Sequence, residues 1–424
     1  MLRFTVIRLR TAVSAGARSS GLALRSQKRS FVFPKPVRFY GTNAPDVDPV
    51  SLQMINYALD HARYQKSDES YAQGLLVLEQ CLSSNQREGA DTSRGIVLLA
   101  MSTLLSERGN IHEAIEKLET IQDLSRSSLG VRVAAMEGLV GLNLELGNDD
   151  TSSVLADKCL QFFRRSEYCP DSVVLEARAK ANKGLVELLL GNIESAGLYF
   201  GGSEDNESCS GNVALSYGEY LHATGKFSLA KLFYQKAIQG VSEAGAFVDP
   251  FTLSTCNMLP EEVCLGATCA LGQLEAHAGN FGDAEEMLTK ALTKAEECFG
   301  SHHPKVGIIL TSIALMFGHK AKLEHSSSLL IQEGLFRRAT EMLKSPPLES
   351  EECKVGRRDI AALARGGYAD ILCVQQNRKA EGERMRKWAE TVWGNCRLSL
   401  AEALELSYPY SKVPVIDARI SRVL

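Results

Sequence analysis

The sequence predicts an all-α solenoid, a stack of antiparallel helix pairs, on three observations. A helix-turn-helix phrase recurs along most of the 424 residues. Its periodic segments are rich in Leu, Ala, Glu and Lys, residues that lose little on entering a helix. Alternating runs of Val, Ile and Thr, the mark of strands, are scarce.

The clearest phrase occupies residues 211 to 244. Its first helix carries Ala214, Tyr217, Gly218 and Leu221 at i, i+3, i+4 and i+7, and its second carries Ala230, Phe233, Tyr234, Ala237 and Ile238 at i, i+3, i+4, i+7 and i+8. Both are apolar stripes at helical period. Gly225 ends the first helix, and Gly218 leaves room for a close neighbour. In chain order, the other units contain Gly74 with Leu78 and Cys81; Gly109, Ala114, Leu118 and Ile121; Gly147, Ser152 and Ala156; Gly191, Ala196 and Phe200; Gly272, Gly279, Phe281, Ala284, Leu288 and Ala291; Ala314 with Phe317; and Gly382 with Ala389. Equivalent small residues at 74, 114, 152, 196, 230, 284, 326 and 382 lie 40, 38, 44, 34, 54, 42 and 56 apart. Such uneven spacing implies inserted loops and lengthened helices around one recurring unit.

Tyr217, Gly218, Leu221, Gly225, Phe227, Ala230, Tyr234 and Ala237 resemble the tetratricopeptide repeat, a helix-turn-helix unit of about 34 residues. Ala214 stands at the family's bulky fourth position, and its final-turn proline is absent. The resemblance covers roughly residues 50 to 400 and implies a right-handed superhelix of antiparallel helix pairs. After Ala291 the helix runs on to Cys298 and meets Gly300-Ser301-His302-His303-Pro304, which is similar to the longer repeat of kinesin light chains. The paired histidines have no acidic or cysteine partner at ligand spacing, so they read as turn residues before a helix that starts at Pro304 rather than as a metal site. With its presequence and degenerate units the chain resembles plant-type, organelle-targeted members of the superfamily.

The ends differ from the middle. Residues 1–45 hold nine basic residues and no acid, the composition of a mitochondrial transit peptide, with a plastid as the alternative destination. Removing those nine from the chain's 47 leaves 38 basic residues against 51 acidic ones, a balance poorly suited to phosphate backbones. From 379 to 400, Met385, Trp388, Ala389, Val392, Trp393 and Cys396 form a stripe that fits a helix capping the stack. Residues 401–424 read as an extended tail, packed along that cap or disordered.

Eleven scattered cysteines without a Cys-x-x-Cys pair read as small core residues of a reducing compartment. No catalytic constellation, cofactor fingerprint, metal-ligand set or long apolar span is apparent, so the expectation is a non-enzyme without cofactor or membrane span.

The first helix of each unit in this family faces a concave groove. Carrying over its inward positions gives Asn212, Leu215, Glu219 and His222 in the best unit, Gln273 in the next, and Thr311 and Leu315 after it. Earlier units contribute Leu99, Thr103, Arg178 and Ala181. A two-carboxylate clamp places lysine, arginine and asparagine at several of these positions in the family, and only Arg178 and Asn212 resemble that here, which disfavours a chaperone-tail cochaperone. A partner protein's helix or extended segment is the expected occupant, in complex assembly or regulation. The competing occupant is the chain's own inserted loop, Ala244 to Pro260. An organellar RNA-binding repeat protein is the alternative function.

Overall fold

In the computed structural model the described residues are 48–84, 90–163, 170–201, 209, 211–241, 253–344, 357–405 and 412–424. They all belong to the unit Arg38–Leu424. The transit-peptide expectation for residues 1–45 lies outside the described residues.

Seventeen helices account for nearly all the regular structure described. The first sixteen form consecutive antiparallel pairs: α1 Pro49–Gln65 with α2 Asp68–Ser84, α3 Asp91–Glu107 with α4 Ile111–Gln122, α5 Leu129–Leu146 with α6 Asp149–Gln161, and α7 Pro170–Leu189 with α8 Ile193–Phe200. Then come α9 Gly211–Ala223 with α10 Phe227–Val241, α11 Pro260–His277 with α12 Phe281–Phe299, α13 Pro304–Leu323 with α14 Leu329–Met342, and α15 Arg358–Val374 with α16 Lys379–Val392. A short α17, Leu400–Leu404, follows. Each second helix packs on the first helix of the next pair, and the first helices of adjacent pairs also touch. The chain is an all-α solenoid.

Five of the pairs share one turn. Gly109, Gly147, Gly191, Gly225 and Gly279 have φ between +77° and +83°, a conformation that costs glycine nothing. At each, the glycine N–H returns to the carbonyl three residues back, as Gly225 does to His222 at 3.0 Å, and the next N–H returns to the carbonyl five back, as Lys226 does to Leu221 at 2.8 Å. This is the Schellman closure, which satisfies the last carbonyls of the first helix. Asparagine follows the glycine in four of the five, a Gly-Asn signature in the sequence itself.

The small residues of the second helices are buried where the pairs touch: Ala114, Ser152, Ala196, Ala230 and Ala284 are all fully enclosed. Gly218 lets the Tyr234 ring approach so closely that a methyl group there would sit 2.8 Å from it. Position 326 departs from the template, because Ser326 lies exposed in the turn after α13. There His325 takes the left-handed conformation that glycine holds elsewhere.

The kinesin-like turn behaves as its residues suggest. α12 runs on to Phe299, Gly300 takes φ +90°, and His303 Nδ1 accepts the Lys305 N–H at 3.2 Å to start α13 behind Pro304. Burial holds the His303 imidazole down to about 3. α13 is also, among the described residues, the one helix long and apolar enough to cross a membrane, and more than half of that window is buried inside the solenoid.

The capping helix expected near 379–400 is α16, the second helix of the eighth pair. It stops at Val392 and lies against α15, with Gly382 close to the Ala369 carbonyl and Trp388 stacked under the Arg365 guanidinium at 3.9 Å. The tail is neither packed along a cap nor disordered where it is described. Residues 413–424 are buried throughout and form a small hairpin, Ile416–Asp417 antiparallel to Arg422–Val423.

Candidate functional site

The inner wall of the solenoid is built by the first helices, and it is filled by two segments of the same chain. Residues 253–259, just ahead of α11, lie against α3, α5 and α7. The hairpin of residues 413–424 lies against α5, α9, α11, α13 and α15.

The hairpin is held at its tip by charge. Arg419, with none of its surface exposed, reaches Asn212, Ser216 and Glu219, three residues on one face of α9. Its other donors go to Asp417 within the hairpin, at 2.8 and 3.2 Å. Burial works against the Arg419 charge, and Asp417 and Glu219 more than restore it, so the guanidinium is held above its ordinary range. Glu219 is also fully buried, and there burial outweighs Arg419, driving its carboxyl well above the usual carboxylate range.

Neighbouring first helices grip the hairpin backbone. The Gln273 side chain works like an extra strand, its Nε2 donating to the Ile416 carbonyl at 2.9 Å and its Oε1 accepting the Ile416 N–H at 2.8 Å. Lys305 donates to the carbonyls of Ala418 and Arg419, both at 3.0 Å, and pairs with Glu262 at 2.7 Å. Burial pushes the Glu262 carboxyl up to about 7, with Lys305 opposing. Arg422 joins the far units, donating to the Leu144 carbonyl and Asp149 at 2.8 Å each and to Asp359 of α15. Asn395 and Arg397, between α16 and α17, close the open side by donating to the carbonyls of Val423, Val413 and Leu424.

The other segment is held by neutral groups. Thr255 Oγ1 donates to the Leu99 carbonyl at 3.0 Å and meets the Ser102 and Thr103 hydroxyls at 2.9 and 3.0 Å. Its close approach depends on two glycines of α5. A methyl group at Gly138 would lie 2.6 Å from Thr255 Cγ2, and one at Gly141 would lie 2.3 Å from Asn257 Oδ1. Among the described residues its charged contact is Arg178, paired with Glu137 and donating to the Leu253 carbonyl at 2.5 Å.

Of the wall residues read from sequence, Asn212, Glu219 and Gln273 bond the hairpin directly. Leu215 is fully buried and packs beside Gly266, which also borders Arg419. Leu315 lines a small cavity with Pro414 and Ile416 of the hairpin segment. His222 turns sideways, to the Tyr234 hydroxyl at 3.0 Å and His277 at 2.8 Å, while Thr311 Oγ1 donates to the Gly307 carbonyl of its own helix at 2.8 Å. The expectation of an open groove is therefore corrected. Hydrogen-bonding side chains at the inward positions do meet an extended backbone, but it belongs to this chain. The inserted loop was expected as a competing occupant. Its described part, residues 253–259, fills one half of the wall, and the hairpin fills the other.

Sequence reading missed Ser216, Glu262, Lys305, Asp149, Asp359 and Arg397. Their signal was in the tail: Asp417, Arg419 and Arg422 interrupt an apolar, β-branched run, and charges so placed need buried partners. Among the described residues no group of three or more His, Cys, Asp or Glu is placed to hold a metal ion.

No family model matches the chain, and no curated protein matches it. Among solved structures, the crystal structure of BtubC (BKLC) from P. vanneervenii is similar over 68% of this chain and 90% of that one, at 12% identity and a TM-score of 0.32. At that distance the solenoid rests on its own helix pairing and turn geometry.

Proposed function

We propose that this chain is a non-catalytic, protein-binding scaffold of mitochondria whose partners dock on its outer surfaces, while its inner wall serves as its own clamp. The supporting observation is the fully buried Arg419, held by Glu219 and Asp417. A partner entering the wall would have to expel that residue and leave two buried carboxylates uncompensated, which costs several kcal/mol. Exchange of the hairpin for a partner segment is therefore disfavoured at rest. Among the described residues the wall, occupied by the chain's own segments, also offers RNA no open groove lined by free cations.

The test is affinity capture of the chain from mitochondria, with and without nuclease, comparing the parent with Leu198→Glu. Leu198 is 83% exposed on α8. Stoichiometric protein partners that survive nuclease support the scaffold. Recovery of RNA without such partners contradicts it.

A further inference from the structure

Beneath the turn of the hairpin, three carboxylates from different helices lie within electrostatic reach of one another. Glu107 ends α3, Glu145 lies near the end of α5, and Glu262 stands in the first turn of α11, where the other two act on it as like charges. Two of the three have an arginine of their own. Glu107 accepts from Arg63 at 2.7 Å and from the Tyr71 hydroxyl at 3.1 Å, and Glu145 pairs with Arg357 at 2.6 Å. Glu262 has Lys305, whose three ammonium protons are divided between that carboxyl and the carbonyls of Ala418 and Arg419. Ser421 Oγ donates to Glu145 at 3.5 Å. The turn of the hairpin therefore rests on Lys305 and Glu145, and Glu145, Glu262 and Lys305 are all buried. Other groups face the same cluster. Burial keeps the His303 imidazole, which feels Lys305 and Arg357, neutral and raises the Cys298 thiol of α12, while Glu261 faces Arg63 and Cys298. Glu219 and Asp417 hold Arg419 on the α9 side of the hairpin.

We propose that Glu262 and Lys305 form a proton-controlled catch for the hairpin, closed while Glu262 carries a proton and loosened when it ionises. A neutral Glu262 can stay dry beside Lys305 at little cost. Once ionised, it is a third carboxylate in a cluster shut off from water, sharing its one ammonium with two backbone carbonyls. Lifting the turn of the hairpin lets water reach both Glu262 and Lys305, so ionisation favours the lifted state. The catch therefore tightens with falling pH and slackens with rising pH. It does not depend on what the outer surfaces of the solenoid bind.

The test is amide hydrogen exchange of residues 413–424 in the full chain at about pH 6 and about pH 8.5, corrected for the intrinsic pH dependence of exchange, with the parent against Glu262→Gln. With the hairpin seated the carboxyl titrates at about 7 instead of its ordinary 4.5. The seated state thus holds the extra proton, and its advantage is lost as pH rises through about 7. Local opening of the hairpin should rise about tenfold more in the parent than in the variant over this range, with the middle of α9 unchanged in both. Glu219 and His277 are the same in both proteins, so the difference belongs to Glu262. Glutamine, as a neutral isostere, should also melt no lower than the parent at about pH 8.5. Equal slopes, a smaller slope in the parent, or a glutamine variant that is less stable or unfolded at the higher pH overturns the catch.

Discussion

The two halves of the inner wall are filled by the same device and held by opposite chemistry. Residues 253–259 meet hydroxyls, one backbone carbonyl, two close glycines and a single charged side chain, Arg178, which is itself paired with Glu137, whereas residues 413–424 meet a set of buried charges. The neutral contacts can be thinned without leaving a charge behind. The ionic ones cannot, because each partner removed strands another away from water. The first segment therefore acts as packing, and the second as a lock tying the middle of the solenoid to its end.

That contrast fixes the order of mutational effects. Arg419→Ala should be the most damaging, destabilising the chain by about 3 to 5 kcal/mol in denaturant unfolding, because Glu219 and Asp417 are left buried and unpaired. Thr255→Val on the neutral side keeps the shape and removes one hydroxyl, so a loss of about 1 to 2 kcal/mol is expected by the same measurement. Equal costs at the two positions would break the comparison. Smallest should be Arg108→Ala, whose ion pair with the 87%-exposed Asp68 side chain lies on the surface, with at most about 0.5 kcal/mol lost.

A pH series sharpens the same contrast within the ionic half. Burial holds His277 down to about 3 and His222 well below its ordinary value. The unfolded chain takes up those protons near pH 6.5 and the folded chain does not, so their contribution falls as pH drops below about 6.5. Glu262, raised to about 7, acts in the opposite sense between about 4.5 and 7, since there the folded state holds the extra proton. Comparing the parent with His277→Gln isolates the imidazole. Between pH 7 and 5 the parent should lose about 1 to 2 kcal/mol more than the variant, and parallel curves would show that His277 is not buried neutral.

Most of the fold was legible because it is local. Gly109, Gly147, Gly191, Gly225 and Gly279 lie in sequence next to the helices they end, and Phe233 and Tyr234 lie within one pair of the Tyr217–Gly218 face they pack on. The wall was legible through the resemblance, whose inward template positions fall on Asn212, Glu219 and Gln273. Its occupant was not. Glu219 and Arg419 are 200 positions apart, and Asp149 and Arg422 are 273 apart. No periodicity within a segment encodes such pairings: the charges at Asp417, Arg419 and Arg422 within an apolar run signal that buried partners exist, without saying which residues they are. Leu215 shows the consequence: an aspartate there would disturb the core beside Arg419, where an open groove would have made it a surface change.

The most direct test of the self-filled wall is amide hydrogen exchange of the hairpin in the purified chain. If residues 413–424 are locked in place, the amides of Val415, Ile416, Arg419 and Leu424 should exchange as slowly as those in the middle of α9 and α11, and Arg419→Ala should release them together. Exchange of these amides on the timescale of exposed loops, with α9 and α11 still protected, would contradict the account.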